Sequence, residues 1–154
     1  MSGSRSAIAE AVLFRQIARA WGLERTGARI VERLRRLLPS EAHRSREGDV
    51  VFLWPAPNGR DRIAVPRVAD DREDSRRHTA EVCIEELGVF ALLALQRYDA
   101  MPRQDTCRVV CRFLGMARMP SESEARVSAA IANFIAANRI RGTEDLLVVP
   151  ATGR

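Results

Sequence analysis

Apolar residues recur at helical spacing in several separated stretches of the chain, and the stretches fall into two similar series. In residues 29–38, Ile30, Leu34, Leu37 and Leu38 share one side of a predicted helix. In the later series Val127, Ile131, Phe134 and Ile135 do the same. Each of these is preceded by another apolar helical pattern that runs into a glycine. The first reads Ile17-Ala18-Arg19-Ala20-Trp21-Gly22-Leu23-Glu24-Arg25 and the second Val110-Cys111-Arg112-Phe113-Leu114-Gly115-Met116-Ala117-Arg118. A glycine there suits a helix C-terminus, where a left-handed backbone is needed.

Each series closes on β-rich residues after a turn. Residues 43–46 lead through Glu47-Gly48-Asp49 into residues 50–55, and residues 139–141 lead through Gly142 and Asp145 into residues 146–150. These read as short two-stranded wings. Helix, turn, helix, hairpin is the order of a winged helix. The expected fold is therefore mainly α with small β-hairpins, arranged as tandem winged-helix-like (helix-turn-helix) repeats. The first repeat spans residues 1–55, a polar linker residues 56–79, and the second repeat residues 80–154. A long apolar helix over residues 84–98 precedes the second series, and Pro102 starts its next helix. The segment matching residues 102–114 is residues 9–21, so the first repeat is expected to lack its first helix. Either the chain is a piece of a longer protein, or another element fills that gap.

At this level the chain resembles the uncharacterised domain at the C-terminus of large bacterial superfamily-I helicase-related proteins, many of which also carry a Vsr-like endonuclease domain. The residues behind the resemblance are Arg19-Ala20-Trp21-Gly22-Leu23-Glu24-Arg25-Thr26-Gly27-Ala28-Arg29-Ile30, then Phe52-Leu53-Trp54-Pro55, and Glu85-Glu86-Leu87. It covers residues 9–150. It implies association with helicase or nuclease machinery on DNA and supplies no activity for this domain of unknown function. Where the first series has Thr26-Gly27-Ala28-Arg29, the second departs with Met119-Pro120-Ser121-Glu122.

Charge sharpens the picture. All 25 basic residues are arginine. Residues 1–69 hold 13 Arg against 7 acids, a net of +6, whereas residues 70–154 hold 12 Arg against 13 acids, a net of −1. The first half is the place to seek a polyanion. On the helix over residues 29–38, Arg29, Arg33 and Arg36 fall together on a side away from the apolar stripe. Three guanidinium groups in line can span neighbouring phosphates. Thr26 sits at the helix start, where free N–H groups suit a phosphate. Arg25 lies just before it, and Arg44 and Arg46 lie on the wing. The expected nucleic-acid-binding set is thus Arg25, Thr26, Arg29, Arg33, Arg36, Arg44 and Arg46, with double-stranded or forked DNA as partner. The plainer alternative is that these arginines solvate a surface helix and pair with Glu32 or Glu41.

In the second repeat the corresponding side carries Arg126, Ala129, Asn133 and Ala137, a poor phosphate surface but one that permits close approach of another helix. The alternative function is accordingly a protein-interaction or dimerisation module, using this face around Ala129 and the gap left by the missing first helix, with helicase or nuclease domains or a second copy as partner. Arg139 and Arg141 are candidate wing contacts there. Both Trp21 and Trp54 are expected in the core.

No catalytic constellation emerges. Cys107, Val110, Cys111 and Leu114 form one apolar stripe, so the thiols read as small hydrophobes rather than zinc ligands, and paired Cys-x-x-Cys knuckles are missing. His43 and His78 have no suggestive neighbour. A lysine-dependent phosphate loop is impossible in a chain without lysine. The acidic run Asp70-Asp71-Arg72-Glu73-Asp74 sits in a predicted loop, and metal-dependent cleavage through Asp71 and Asp74 is the third reading, with no strand-borne carboxylate or lysine beside it. The expectation is a non-enzyme without cofactor or metal. The polar opening of the chain and the lack of any run of about 20 apolar residues suggest a cytoplasmic protein that does not engage a membrane.

Overall fold

The computed structural model describes residues 6–55, 63 and 66–151. The chain divides into two compact units, Met1–Arg62 and Ile63–Arg154. Among the described residues there are five α-helices and two three-stranded antiparallel sheets, a mainly α architecture with small β elements. The opening residues 1–5 and the first part of the expected linker, residues 56–62 and 64–65, lie outside the described residues.

Unit 1 runs β1 (Ile8–Ala9), α1 (Glu10–Ala20), α2 (Ala28–Leu37), β2 (His43–Glu47) and β3 (Val50–Trp54). Its sheet order is β1-β3-β2, with β3 central. β2 and β3 form a hairpin in register from His43 opposite Trp54 to Glu47 opposite Val50, closed by the two residues Gly48 and Asp49. The expected hairpin is therefore present, as part of a three-stranded sheet rather than a two-stranded one. The third strand, Ile8 opposite Leu53 and Ala9 opposite Phe52, is two residues long. Such a strand is too short to show the alternation by which strands are read from sequence. Ala9, Phe14, Ala18, Leu34 and Phe52 are buried and make the core. Trp54 is buried too, and its indole N–H donates to Ser45 Oγ on the neighbouring strand at 2.8 Å.

Unit 2 runs α3 (Ile84–Tyr98), β4 (Ala100–Met101), α4 (Arg103–Phe113), α5 (Ser121–Ala136), β5 (Arg141–Gly142) and β6 (Leu147–Val148), with sheet order β4-β6-β5. From its first strand onward it repeats unit 1 element for element. The glycines after α1 and α4, Gly22 and Gly115, lie 93 residues apart and adopt φ of +77° and +81°. Both close the same helix end. Gly22 N–H donates to Arg19 O and Leu23 N–H to Ala18 O, and Gly115 N–H donates to Arg112 O and Met116 N–H to Cys111 O. This paired 5→2 and 6→1 pattern satisfies helix carbonyls and places a left-handed residue where only glycine avoids strain.

α3 has no counterpart among the described residues of unit 1. It buries Leu87, Val89, Phe90, Ala91, Ala94 and Leu95 against α4 and α5. Gly88 sets the approach to α5: a Cβ there would lie 2.2 Å from the Phe134 ring. Phe90 stacks on Phe113 with centroids 6.1 Å apart. The chain before α3 is held to the same core. Ala69 N–H donates to Phe113 O and Arg77 N–H to Leu114 O. The fully buried Glu86 carboxylate accepts from both terminal nitrogens of Arg77, at 2.9 and 3.1 Å. A buried charge persists only with such a partner. None of the described helices is long and apolar enough to cross a membrane.

Candidate nucleic-acid interface

α2 is the most arginine-rich helix, with Arg29, Arg33, Arg35 and Arg36 against the single acid Glu32. It begins at Gly27, an extended N-cap residue with no side-chain cap, and ends at Leu38. Leu34 is its one buried residue. Arg35, itself exposed, donates through Nε to the buried Glu10 carboxylate at 2.6 Å and ties α2 to the start of α1. The other three arginines stand at i, i+4 and i+7 on the exposed side.

Arg29 and Arg33 are exposed and have no ion pair among the described residues. Arg36 is partly neutralised by Glu32, one turn earlier, at 2.6 Å. That pair is exposed, and such pairs contribute little and yield readily to a competing anion. Arg25 is exposed and Thr26 half-buried just ahead of the N-cap. Arg44 and Arg46 alternate with the buried Ser45 along β2 and so face outward together. The Arg44 guanidinium also donates to Ala42 O at 3.4 Å. All seven residues proposed from sequence thus lie in unit 1, on α2, its leading turn and β2.

Two expectations need correction. Trp21 is not in the core: it is 61 % exposed, with Leu23 and Leu37 also exposed. Trp21 caps the end of α1, and no described helix of unit 1 lies over it. Arg126, expected on the open side of α5, is half-buried. Its guanidinium donates to Thr79 O at 2.8 Å and Val82 O at 2.5 Å, in the turn that enters α3. By contrast Ala129, Asn133 and Ala137 are exposed. Arg139 lies over the Phe134 ring, 4.3 Å from its centroid, a packing role for a residue considered as a wing contact.

The remaining candidate chemistry is occupied locally. His78 caps the short 3₁₀ turn Thr79–Glu81, its Nδ1 accepting from Ala80 N–H at 3.1 Å. Asp70 accepts from the Arg72 backbone N–H at 2.9 Å, and that bond is the chief cause holding its carboxyl below the ordinary value. Arg72 also lies 3.8 Å from Asp74. Cys107, Val110, Cys111 and Leu114 are buried as one stripe. Among the described residues no group of three or more His, Cys, Asp or Glu side chains is arranged to hold a metal ion.

β1, α1, the Gly22 turn and the first half of α2 are consecutive in unit 1. Residues 7–32 of the chain match a family model described as "Protein of unknown function (DUF3320)". The DUF3320-like segment includes Arg25, Thr26 and Arg29 and stops before Arg33, Arg36 and the β2–β3 hairpin. No curated protein and no solved structure gives a significant match.

Proposed function

We propose that the chain is a non-catalytic DNA-binding accessory module whose two units are winged helices, and that unit 1 grips the phosphate backbone through α2 and its neighbouring hairpin. The element order of each unit supports the fold reading. A short strand, two helices and a hairpin, with the last strand central in the sheet, is the arrangement in which a second helix enters a DNA groove beside a wing. The observation that carries the functional reading is the arginine set itself. Arg29, Arg33 and Arg36 share one exposed side of α2, and Arg44 and Arg46 face outward on β2.

Guanidinium groups on a helix and a wing contact phosphates on either side of a groove, fixing position without reading sequence. Arg25 and the Thr26 hydroxyl extend the contact to the helix start. The resemblance to helicase-related proteins fits a role holding duplex or forked DNA for a larger helicase or nuclease system.

Fluorescence anisotropy with labelled duplex and forked DNA over a salt series tests this. Six arginine–phosphate contacts predict a log–log salt slope of about −5. Replacing Arg29, Arg33 and Arg36 with Ala should weaken binding at least tenfold and flatten the slope by about 3. Unchanged affinity and slope in that triple variant would reject this surface.

A further inference from the structure

The repeat makes each unit a template for the other. α3 and the chain leading into it pack on α4 and α5 in unit 2, where Leu114 and Ala130 have no exposed surface. At the same 93-residue spacing as Gly22 and Gly115, their counterparts in unit 1 are Trp21 and Leu37, which are 61 % and 66 % exposed. The turn entering α3 is gripped from α5 by two residues. Ser123 Oγ lies 2.8 Å from Thr79 Oγ1, and Arg126 donates to Thr79 O and Val82 O. The unit 1 counterparts are Ile30, half-buried, and Arg33, which has no partner among the described residues. Unit 1 therefore retains the seat of a helix, including the arginine that would hold its leading turn.

We infer that unit 1 is an acceptor for an amphipathic α-helix from a partner protein, docked across Trp21, Leu37 and Ile30, with Arg33 donating to the carbonyls of its leading turn. Charge selects the occupant. α3 carries Glu85 and Glu86 in its first turn. An acidic first turn complements the helix dipole, and it meets in Arg33 a guanidinium with no ion pair among the described residues. A second copy meeting this face about a two-fold axis would instead bring Arg33 and Arg36 towards their own equivalents, which repel. Ile30 in place of Ser123 calls for an apolar residue where unit 2 has Thr79.

Docking leaves the DNA reading separable. The α5 counterparts of Arg29 and Arg36 are Glu122 and Ala129, both exposed although α3 is in place. Arg29 and Arg36 thus stay open when a helix occupies the seat, while Arg33 is engaged by it.

The probe is a labelled peptide of residues 76–98, which keeps Arg77 beside Glu86, carrying Thr79→Val and Cys83→Ser, titrated with the full chain and followed by anisotropy. Saturable binding is expected, weakened at least tenfold by Trp21→Ser with Leu37→Ser, and likewise by Arg33→Gln. Arg29→Ala should leave peptide binding unchanged while weakening DNA binding, so either reading can fail alone. Circular dichroism checks that each variant is folded, which the exposure of these side chains favours. Absence of binding, or binding indifferent to both sets of variants, overturns the inference. So does a dimer in sedimentation equilibrium that the Trp21→Ser, Leu37→Ser pair dissolves, because the seat would then belong to a second copy.

Discussion

Cys107 shows how a single side chain ties stability to pH. Its thiol lies between α4 and α5, 3.9 Å from both Glu124 O and Ser128 Oγ. Burial pushes it up from an ordinary 9.0 to about 11. A raised thiol pKa means that the folded state holds the proton more tightly than the unfolded chain. The associated stability is full below about pH 9 and is lost as pH rises through about 11, a change on the order of 2–3 kcal/mol. Urea unfolding of wild type and Cys107→Ala between pH 8 and 11 checks it: the wild type should lose stability more steeply. The apolar role of Cys107 is visible in sequence because its stripe has helical period. Arg126 is different. Its position on the helix points to solvent, and only the folded chain brings the carbonyls of Thr79 and Val82 to its guanidinium, more than 40 residues away in sequence.

At the scale of elements, the helices and the long hairpin follow from local signals. The stripe over residues 29–38 becomes α2 at Ala28–Leu37, and residues 84–98 become α3. The two-residue strands β1 and β4 do not, since their pairing depends on a distant partner strand. Close approach of helices is equally non-local. Gly88 reads as an unremarkable residue in an apolar run, yet the α3–α5 contact leaves no room for a methyl group. Gly88→Ala should destabilise unit 2 by about 1–3 kcal/mol through overpacking against Phe134. Gly27→Ala is the control: φ is −74° and nothing lies within 4 Å of the added Cβ, so its effect should stay within about 0.5 kcal/mol. Chemical denaturation followed by circular dichroism compares the two.

Across the whole molecule, the duplication and the uneven charge are both readable from sequence, because they depend on which residues recur and where arginines cluster. The lack of a first helix in the first series is legible as well, but which side chains that lack uncovers is not. Leu37 belongs to a stripe that predicts burial, and its exposure follows from the lack of an α3 counterpart among the described residues of unit 1. The same asymmetry explains why α5 buries five residues and α2 only Leu34.

The placement of the indoles gives the chain a built-in optical label. Both tryptophans of the sequence, Trp21 and Trp54, belong to unit 1, one open to water and one enclosed. Acrylamide should therefore quench about half of the native emission readily and leave a blue-shifted remainder. On heating, emission follows unit 1 alone, whereas the ellipticity at 222 nm is dominated by the longer helices α3 and α5. With Leu34 the one fully buried side chain of α2, the fluorescence midpoint should fall below the ellipticity midpoint; coincident curves would mean that the two units melt as one.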